Sequence, residues 1–399
     1  MKTENLYINK EDCCGCEACA QVCPMQIIEL SADSEGFLYP NIESDQKCID
    51  CKKCIKVCPV KSSIRHNLPI IAGFGGSMNN SQDIKSSSSG GFATLISRRF
   101  IHDGGVVYGV RYSADFNKVV YSKATKEEQL EKFRSSKYVQ AEKNNIFQSV
   151  KADLAASIPV FFIGLPCEIS GLYNFIGYDD PKLFTAALIC HGPTSQKVHK
   201  EFCDSISINK KINYFSVREK ITGWKPYYLK VGFSDGSEYV KPFKGTDYEV
   251  AFQYLKRPSC SSCRYKYGDK LFGSISDITL GDFHSANKKS SVFNPWGTSQ
   301  LCVHTNKGKF LANLLDESNC NKFNVPKDSF LSGNIAFIKP IKKPKFRNLF
   351  SYTFVDKSLY DACKLPAIQI HLKILSIKKR LFSMANNLIL KVVKNKIRE

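Results

Sequence analysis

The sequence predicts a multidomain chain of mixed α+β and α/β class in three parts: a small cysteine-rich module, a larger α/β domain and a basic helical tail. Three observations carry this expectation. Two cysteine runs near the start repeat one spacing, Cys13-x2-Cys16-x2-Cys19-x3-Cys23-Pro24 and Cys48-x2-Cys51-x2-Cys54-x3-Cys58-Pro59. Short apolar runs further on end in glycine-containing turns bearing reactive side chains, the usual plan of an α/β sheet with its chemistry at the strand ends. The last segment repeats apolar residues at three- and four-residue steps among lysines and arginines.

Four thiolates at the repeated spacing, closed by proline, match a ferredoxin-like module holding two [4Fe–4S] clusters. In that arrangement the fourth cysteine of each run reaches across to the other cluster. One expected ligand set is therefore Cys13, Cys16, Cys19 and Cys58, and the other is Cys48, Cys51, Cys54 and Cys23. Zinc is the rival, because paired cysteines also bind it, but three-cysteine runs followed by Cys-Pro are not its usual pattern. Cys14 falls outside the spacing and reads as a bystander. Between the runs, Gly36-Phe37-Leu38-Tyr39-Pro40 reads as a short strand after a turn.

At 399 residues the chain is too long for such a module alone. The boundaries read as 1–62 for the cluster module, 63–84 for a linker, 85–338 for the α/β domain and 339–399 for the tail. No charged segment followed by an apolar one trails Met1, so no secretory signal is expected. Ile158–Pro166 and Phe184–Cys190 are far shorter than the ~20 residues that span a bilayer. Seventeen cysteines in such a chain read as metal ligands in a reducing cytoplasm. The net charge of +20 calls for a counterpart. Nucleic acid is not the expected one, since the cations are not interleaved with stacking aromatics on a recognisable module. Much of the excess follows Ile338, in Lys339, Lys342, Lys343, Lys345, Arg347 and the final segment. An acidic cofactor, an acidic protein partner or an anionic membrane surface fits that distribution better.

Within the middle domain, the Gly-, Asn- and Ser-rich stretch Asn67–Ser89 reads as a connector. Phe92, Leu95, Ile96 and Phe100 are spaced for a helix, and Val106–Tyr112 for a strand. Lys126–Phe133 and Ile146–Ala156 read as helices. Pro159–Ile163 and Leu183–Ile189 read as buried strands running into Gly164-Leu165-Pro166-Cys167 and Cys190-His191-Gly192. Tyr227–Phe233 and Glu238–Val240 form a hairpin around Asp235-Gly236. In the tail, from about Ala367 to Arg398, Ile370, Ile374, Ile377, Leu381, Met384 and Leu388 share a helical face. Lys373, Lys378, Lys379, Arg380, Lys391 and Lys394 surround it. Two readings stand: a helix packed on its own protein or a dimer mate, and a basic anchor lying peripherally on the inner face of a membrane.

Nine cysteines lie outside the two ligand sets. Cys167 and Cys190 each sit just beyond an expected strand, and Cys260-x2-Cys263 lies in a loop-like stretch. If these turns converge, four thiolates hold a third [4Fe–4S] cluster; otherwise two of them are small buried hydrophobes and the pair is half of a zinc site or idle. Ser86–Gly91, with Ser88, Ser89, Gly90 and Gly91, places hydroxyls and backbone N–H groups ahead of a helix and is the best candidate to bind a phosphate. Ser136, Lys137, Tyr138 and Gln140 form a second compact polar stretch, whose plain reading is a helix-to-helix loop.

Taken together these segments resemble the beta-subunit family of coenzyme F-420 hydrogenases and dehydrogenases. The resemblance includes Glu35-Gly36-Phe37-Leu38-Tyr39-Pro40, Ser88-Ser89-Gly90-Gly91, Ser136-Lys137-Tyr138-Val139-Gln140 and Gly164-Leu165-Pro166-Cys167. It continues through Cys190-His191-Gly192-Pro193, Gly223-Trp224-Lys225, Arg257-Pro258-Ser259-Cys260-x2-Cys263, Ser276–Phe283 and Gly297-Thr298-Ser299. It implies a flavin-binding α/β domain, with FAD passing electrons between iron–sulfur clusters and a small-molecule substrate. Clusters pass single electrons, hydride transfer needs two, and a flavin converts between them. In founding members the substrate is a deazaflavin coenzyme; relatives reduce chlorophyll-pathway pigments, and bacterial ones are often encoded beside polysaccharide pyruvyl transferases. The resemblance also favours the third cluster, and it implies a ferredoxin or donor subunit as redox partner. His191 and Lys137 become the first candidates for catalytic proton delivery. The alternative is a non-catalytic electron-transfer subunit of a larger complex. The sequence departs from the family pattern at Leu165, Glu168, Pro193-Thr194 and His284, positions commonly Thr, Gln, Val-Pro and Trp, so deazaflavin is not assumed as substrate.

Overall fold

The computed structural model describes residues 6–42 and 47–396, with side chains described at all of these except 383 and 386–396. In the cysteine-rich module, β1 (Ile28–Ala32) and β2 (Leu38–Ile42) pair antiparallel on either side of the turn at Gly36. Each cysteine run feeds a short helical turn, Ala18–Val22 and Lys53–Lys56.

The expected connector contains a strand, β3 (Ala72–Met78), paired on both sides. Its sequence lacks the β-branched residues that usually announce a strand. Neighbours press directly on its backbone instead: a Cβ at Gly73 would lie 1.9 Å from the Phe330 ring. β4 (Val106–Tyr112), β5 (Val119–Ala124), β6 (Val160–Gly164) and β7 (Leu183–Leu188) follow. The separate antiparallel sheet of β8 (Ile212–Glu219), β9 (Tyr228–Phe233) and β10 (Glu238–Pro242) comes next. β11 (Ile278–Asp282), β12 (Ser299–Val303) and β13 (Cys320–Asn324) return to the large sheet.

That sheet has eight strands in the order β13-β3-β12-β11-β7-β6-β4-β5. Neighbours from β4 through β6 and β7 to β11 are parallel, and the outer pairs are antiparallel. Both faces of the parallel centre are buried. Val160 and Phe162 enter one apolar cluster and Phe161 the other, which is why these strands read as continuous apolar runs. The segment expected as a helix over Lys126–Phe133 is a 3-10 stretch, Glu127–Phe133, whose start is held by Gln129 accepting from the Thr125 and Lys126 amides.

The segment expected as a tail is two different things. Helices Arg347–Asp356 and Leu359–Lys364 belong to the main core through Phe350, Phe354, Leu359 and Ala362. Arg347, expected as part of the free cationic excess, is buried and grips Glu35 of the cysteine-rich module, 2.9 and 2.5 Å away. The last helix, Pro366–Lys396, is anchored by buried Ile368 and by His371, whose Nδ1 lies 2.7 Å from the Tyr254 hydroxyl. Beyond that point Ile374, Ile377, Leu381, Phe382 and Met384 are exposed. Leu388, Lys391, Lys394 and Arg398 lie outside the described side chains. Among the described residues no helix is long and apolar enough to cross a membrane.

Candidate redox site at the sheet crest

The cysteine-rich module is sealed to the body by buried polar contacts. Gln140 Nε2 donates to the Cys14 and Gly15 carbonyls at 3.0 and 3.1 Å. The Lys143 amide donates to Glu17, the Phe147 amide to Gln21, and Tyr265 Oη to the Pro59 carbonyl. Lys143 Nζ, fully buried, lies 2.8 Å from Glu168 and 3.7 Å from Glu17. Burial works to strip its proton, but Glu168 and Glu17 override that and hold the ammonium above the ordinary lysine value. Glu168, one of the departures from the family pattern, is thus partnered by Lys143 and by the Tyr121 hydroxyl, 2.6 Å away.

Inside the module the two runs interleave. Cys58 has Cys13, Cys16 and Cys19 as electrostatic neighbours. Cys23, Cys48, Cys51 and Cys54 line one solvent-open hollow of about 370 Å³. The first set is the inner one: Cys16 is buried, and a Cβ on Gly171 of the body would come within 3.0 Å of its sulfur. The second set is the outer one: Cys54 is buried, but Cys51 is exposed and the set opens onto the hollow. Among the described residues no three His, Cys, Asp or Glu side chains are gathered as ligands of one metal ion. A cubane cluster asks for something else, one thiolate per iron spread around a four-iron core.

At the carboxyl ends of β6 and β7 the turns that follow these strands meet the 3-10 turn Pro258–Ser262. Cys167, Cys190, Cys260 and Cys263 come together there, each an electrostatic neighbour of the other three. The Gly192 amide points at the Cys190 sulfur, 3.2 Å away. Burial and the neighbouring thiols push the Cys260 thiol up, and burial leads in pushing Cys263 up to about 12. Cys14, expected as a bystander, is not remote: its thiol neighbours those of Cys16 and Cys167, between the inner set and this quartet. Its position directly after Cys13 hides that role in the sequence.

The polar candidates occupy the same crest, with one exception. The Ser136 hydroxyl donates to Ser88 at 3.0 Å, and Ser89 donates to the Thr298 carbonyl at 2.7 Å. The Gly90 carbonyl accepts from Met78 at the end of β3, and Gly91 is the N-cap of the helix Phe92–His102. Tyr138 stacks on Phe252, ring centroids 4.4 Å apart. Half-buried Lys137 turns its ammonium inward onto the Arg134 and Ser135 carbonyls, and burial pulls it down to about 7. Gln140 is the exception, committed to the module seam.

His191 stands exposed at the end of β7, facing Lys256, Lys266, His284 and Asp282. Partial burial, then the Lys256 and Lys266 ammoniums, push it toward about 4, while its open side to solvent screens both effects. The ring is neutral near pH 7 and a poor acid there; Lys137 is better matched to giving up a proton. Asp282 at the end of β11 has no signal in the sequence beyond its place in Ser276–Phe283, yet it is the hub of the crest. Burial would raise its carboxyl, but Arg218, bidentate at 2.9 and 3.3 Å, holds it below the ordinary value. Arg218, on the separate sheet, has no local signal either. Lys225 lies 3.4 Å from His284 Nδ1, and Trp224 stacks on that ring. Buried Thr194 Oγ1, Arg218 Nε and Trp224 Nε1 have no hydrogen-bond partner among the described residues, as expected where a polar ligand completes a site.

Residues 159–328 match the family of carboxyl-terminal segments of the coenzyme F-420 hydrogenase/dehydrogenase beta subunit, and residues 8–62 match the 4Fe-4S dicluster domain. Residues 159–328 thus carry the beta-subunit carboxyl-terminal domain, and residues 8–62 the dicluster domain. The matched beta-subunit segment contains β6, β7, β11 and the whole cysteine quartet, and the dicluster segment contains both cysteine runs. The chain is an iron–sulfur electron-transfer protein of oxidoreductase-like type, related to that beta subunit and with two [4Fe–4S] clusters in its dicluster segment. A solved chain of the F-420-reducing [NiFe] hydrogenase complex from Methanosarcina barkeri is similar at 18% identity, over 73% of this chain and 90% of that one, with a TM-score of 0.45. No curated protein matches.

Proposed function

We propose that this chain is a flavin-dependent oxidoreductase subunit. Electrons enter at the outer cysteine set of the module, pass to the inner set and then to a third [4Fe–4S] cluster on Cys167, Cys190, Cys260 and Cys263. From there they reach FAD at the crest and a small-molecule substrate. The observation that carries this reading is the meeting of the quartet, from three separate turns, beside the inner set on one side and the Ser88, Ser136 and Asp282 groups on the other. Bound flavin supplies the exchange between one-electron and hydride chemistry. Ser88, Ser89, Gly90, Gly91, Ser136 and Tyr138 hold it, and the unpartnered Thr194, Arg218 and Trp224 atoms complete its contacts. Lys137 holds a transferable proton near neutral pH, and Asp282 with Arg218 keeps a fixed ion pair beside it. The activity for which the family is named favours a deazaflavin-type substrate, and His284 marks where this chain selects its own, a product of polysaccharide metabolism being one class. A redox protein or donor subunit docks at the outer set, where Met25 and Ile49 are exposed.

The test is anaerobic iron, sulfide and flavin analysis of the full chain. About twelve irons and one flavin per chain are expected, four irons per cluster. About eight irons without flavin would leave the non-catalytic carrier in its place.

The last helix supports a second role. Its exposed stripe of Ile370, Ile374, Ile377, Leu381, Phe382 and Met384 runs beside Lys373, Lys378, Lys379 and Arg380, with no acidic residue between Pro366 and Arg398. Such a face complements an anionic bilayer surface at the cytoplasmic side. Sedimentation with phosphatidylglycerol vesicles is expected for the full chain and not for a chain ending at Leu372, with phosphatidylcholine vesicles binding neither. Equal sedimentation of the two chains overturns this role, and a dimer lost on truncation assigns the face to a second copy.

A further inference from the structure

We infer that Arg257 raises the reduction potential of the inner cluster and so draws electrons inward from the outer one. Arg257 is fully buried, at 1% exposure. Its Nε donates to the Cys13 carbonyl at 2.9 Å, its Nη1 to Gln140 Oε1 at 2.8 Å and its Nη2 to the Leu38 carbonyl at 2.9 Å. The same Nη2 lies 3.5 Å from the Cys13 sulfur. The guanidinium sits over the Tyr39 ring, 4.2 Å from its centroid.

No carboxylate pairs with it among the described residues. Its electrostatic partners are Cys13, Tyr39, Cys14 and Cys260. A buried cation without an opposite charge is costly. Here the compensating charge is sulfur, Cys13 as a thiolate ligand of the inner set.

Burial by itself disfavours adding an electron to the inner set, because the added negative charge is poorly solvated. The outer set, open to water and flanked by exposed Lys52 and Lys53, escapes that penalty but gains only screened attraction from those lysines. Arg257 offsets the penalty where it falls. A hydrogen bond and a full positive charge at a ligand sulfur both favour the reduced state. One electron then leaves the outer set, which is oxidised, and enters the inner set, which is reduced, with no proton or bond change. Arg257 is a tuning and positioning residue that lies three positions before Cys260 and so also ties the quartet to the inner set. This inference rests on the two-cluster module and stands whether or not the quartet carries a third cluster.

The test is an anaerobic redox titration of the full chain followed by electron paramagnetic resonance, with the outer signal assigned by its change in C51S. Arg257→Gln is expected to shift the inner midpoint downward and leave the outer one in place. Arg257→Lys, which keeps the charge but loses the fork, is expected to shift it less. Inner and outer midpoints moving together, or neither moving, at unchanged iron content would overturn the inference. If Arg257→Gln fails to retain iron, Arg257→Lys decides alone: an inner midpoint equal to that of the parent protein overturns it.

Discussion

Replacing Cys190 and Cys263 together by serine should remove about a third of the iron, from about twelve to about eight atoms per chain, and leave the amino-terminal clusters in place. The two residues come from different turns, the end of β7 and the loop after Pro258, so neither belongs to the repeated runs. Each neighbours both other members of the quartet, so losing two ligands removes half of the thiolates there. Cys190 and Cys263 are partly buried, and Cys263 only borders the main apolar cluster without being one of its buried members, so the fold should persist by circular dichroism. Iron and sulfide analysis with low-temperature spectroscopy reads the result. Iron unchanged in the double variant would mean that the quartet is structural and that the path ends within the module.

The largest effect on stability is expected at Lys143. Its ammonium is completely buried between Glu168 and Glu17 and also donates to the Gly15 and Ala141 carbonyls at 3.0 and 2.7 Å. Lys143→Met leaves two carboxylates without their cation in a dry seam, an error that costs about 3–5 kcal/mol. Glu17 lies between Cys16 and Cys19, so the damage falls where the module meets the body. A lower urea midpoint is expected, with proteolysis first appearing between the module and the sheet. Adding Glu17→Gln and Glu168→Gln should restore most of the loss, since neutral amides no longer require the ammonium. A midpoint in Lys143→Met equal to that of the parent chain would show that the seam is held by other contacts.

How much of this is legible in the sequence varies with the range of the interaction. Periodicity and spacing act over a few residues. They announce the cysteine runs, the buried strands β6 and β7, the helix Phe92–His102 and the long last helix. β3 escapes because it is a strand shaped by what presses on it, Phe330 above all, and glycines carry no apolar signal. The boundary of the tail escapes because Arg347 reads as surface charge until its partner Glu35, over three hundred residues away in the chain, is in view.

The candidate site divides along the same line. The ligand spacing of the module is a local property, since each run wraps one cluster with three cysteines inside seven residues, and it is written in the order of the residues. The quartet is visible only as separate suggestions, and Cys14, Arg218, Lys143 and Arg257 carry no suggestion that points to one another. Their meaning comes from closure in space: Arg257 reaches Cys13 across 244 positions, and Arg218 reaches Asp282 across 64. By itself the sequence determined that this protein carries paired iron–sulfur clusters ahead of an α/β domain. Only the tertiary structure decided which cysteine set lies against the body, what packs on it and where the sheet presents its charges, because burial and pairing of charge are set by neighbours that no linear pattern records.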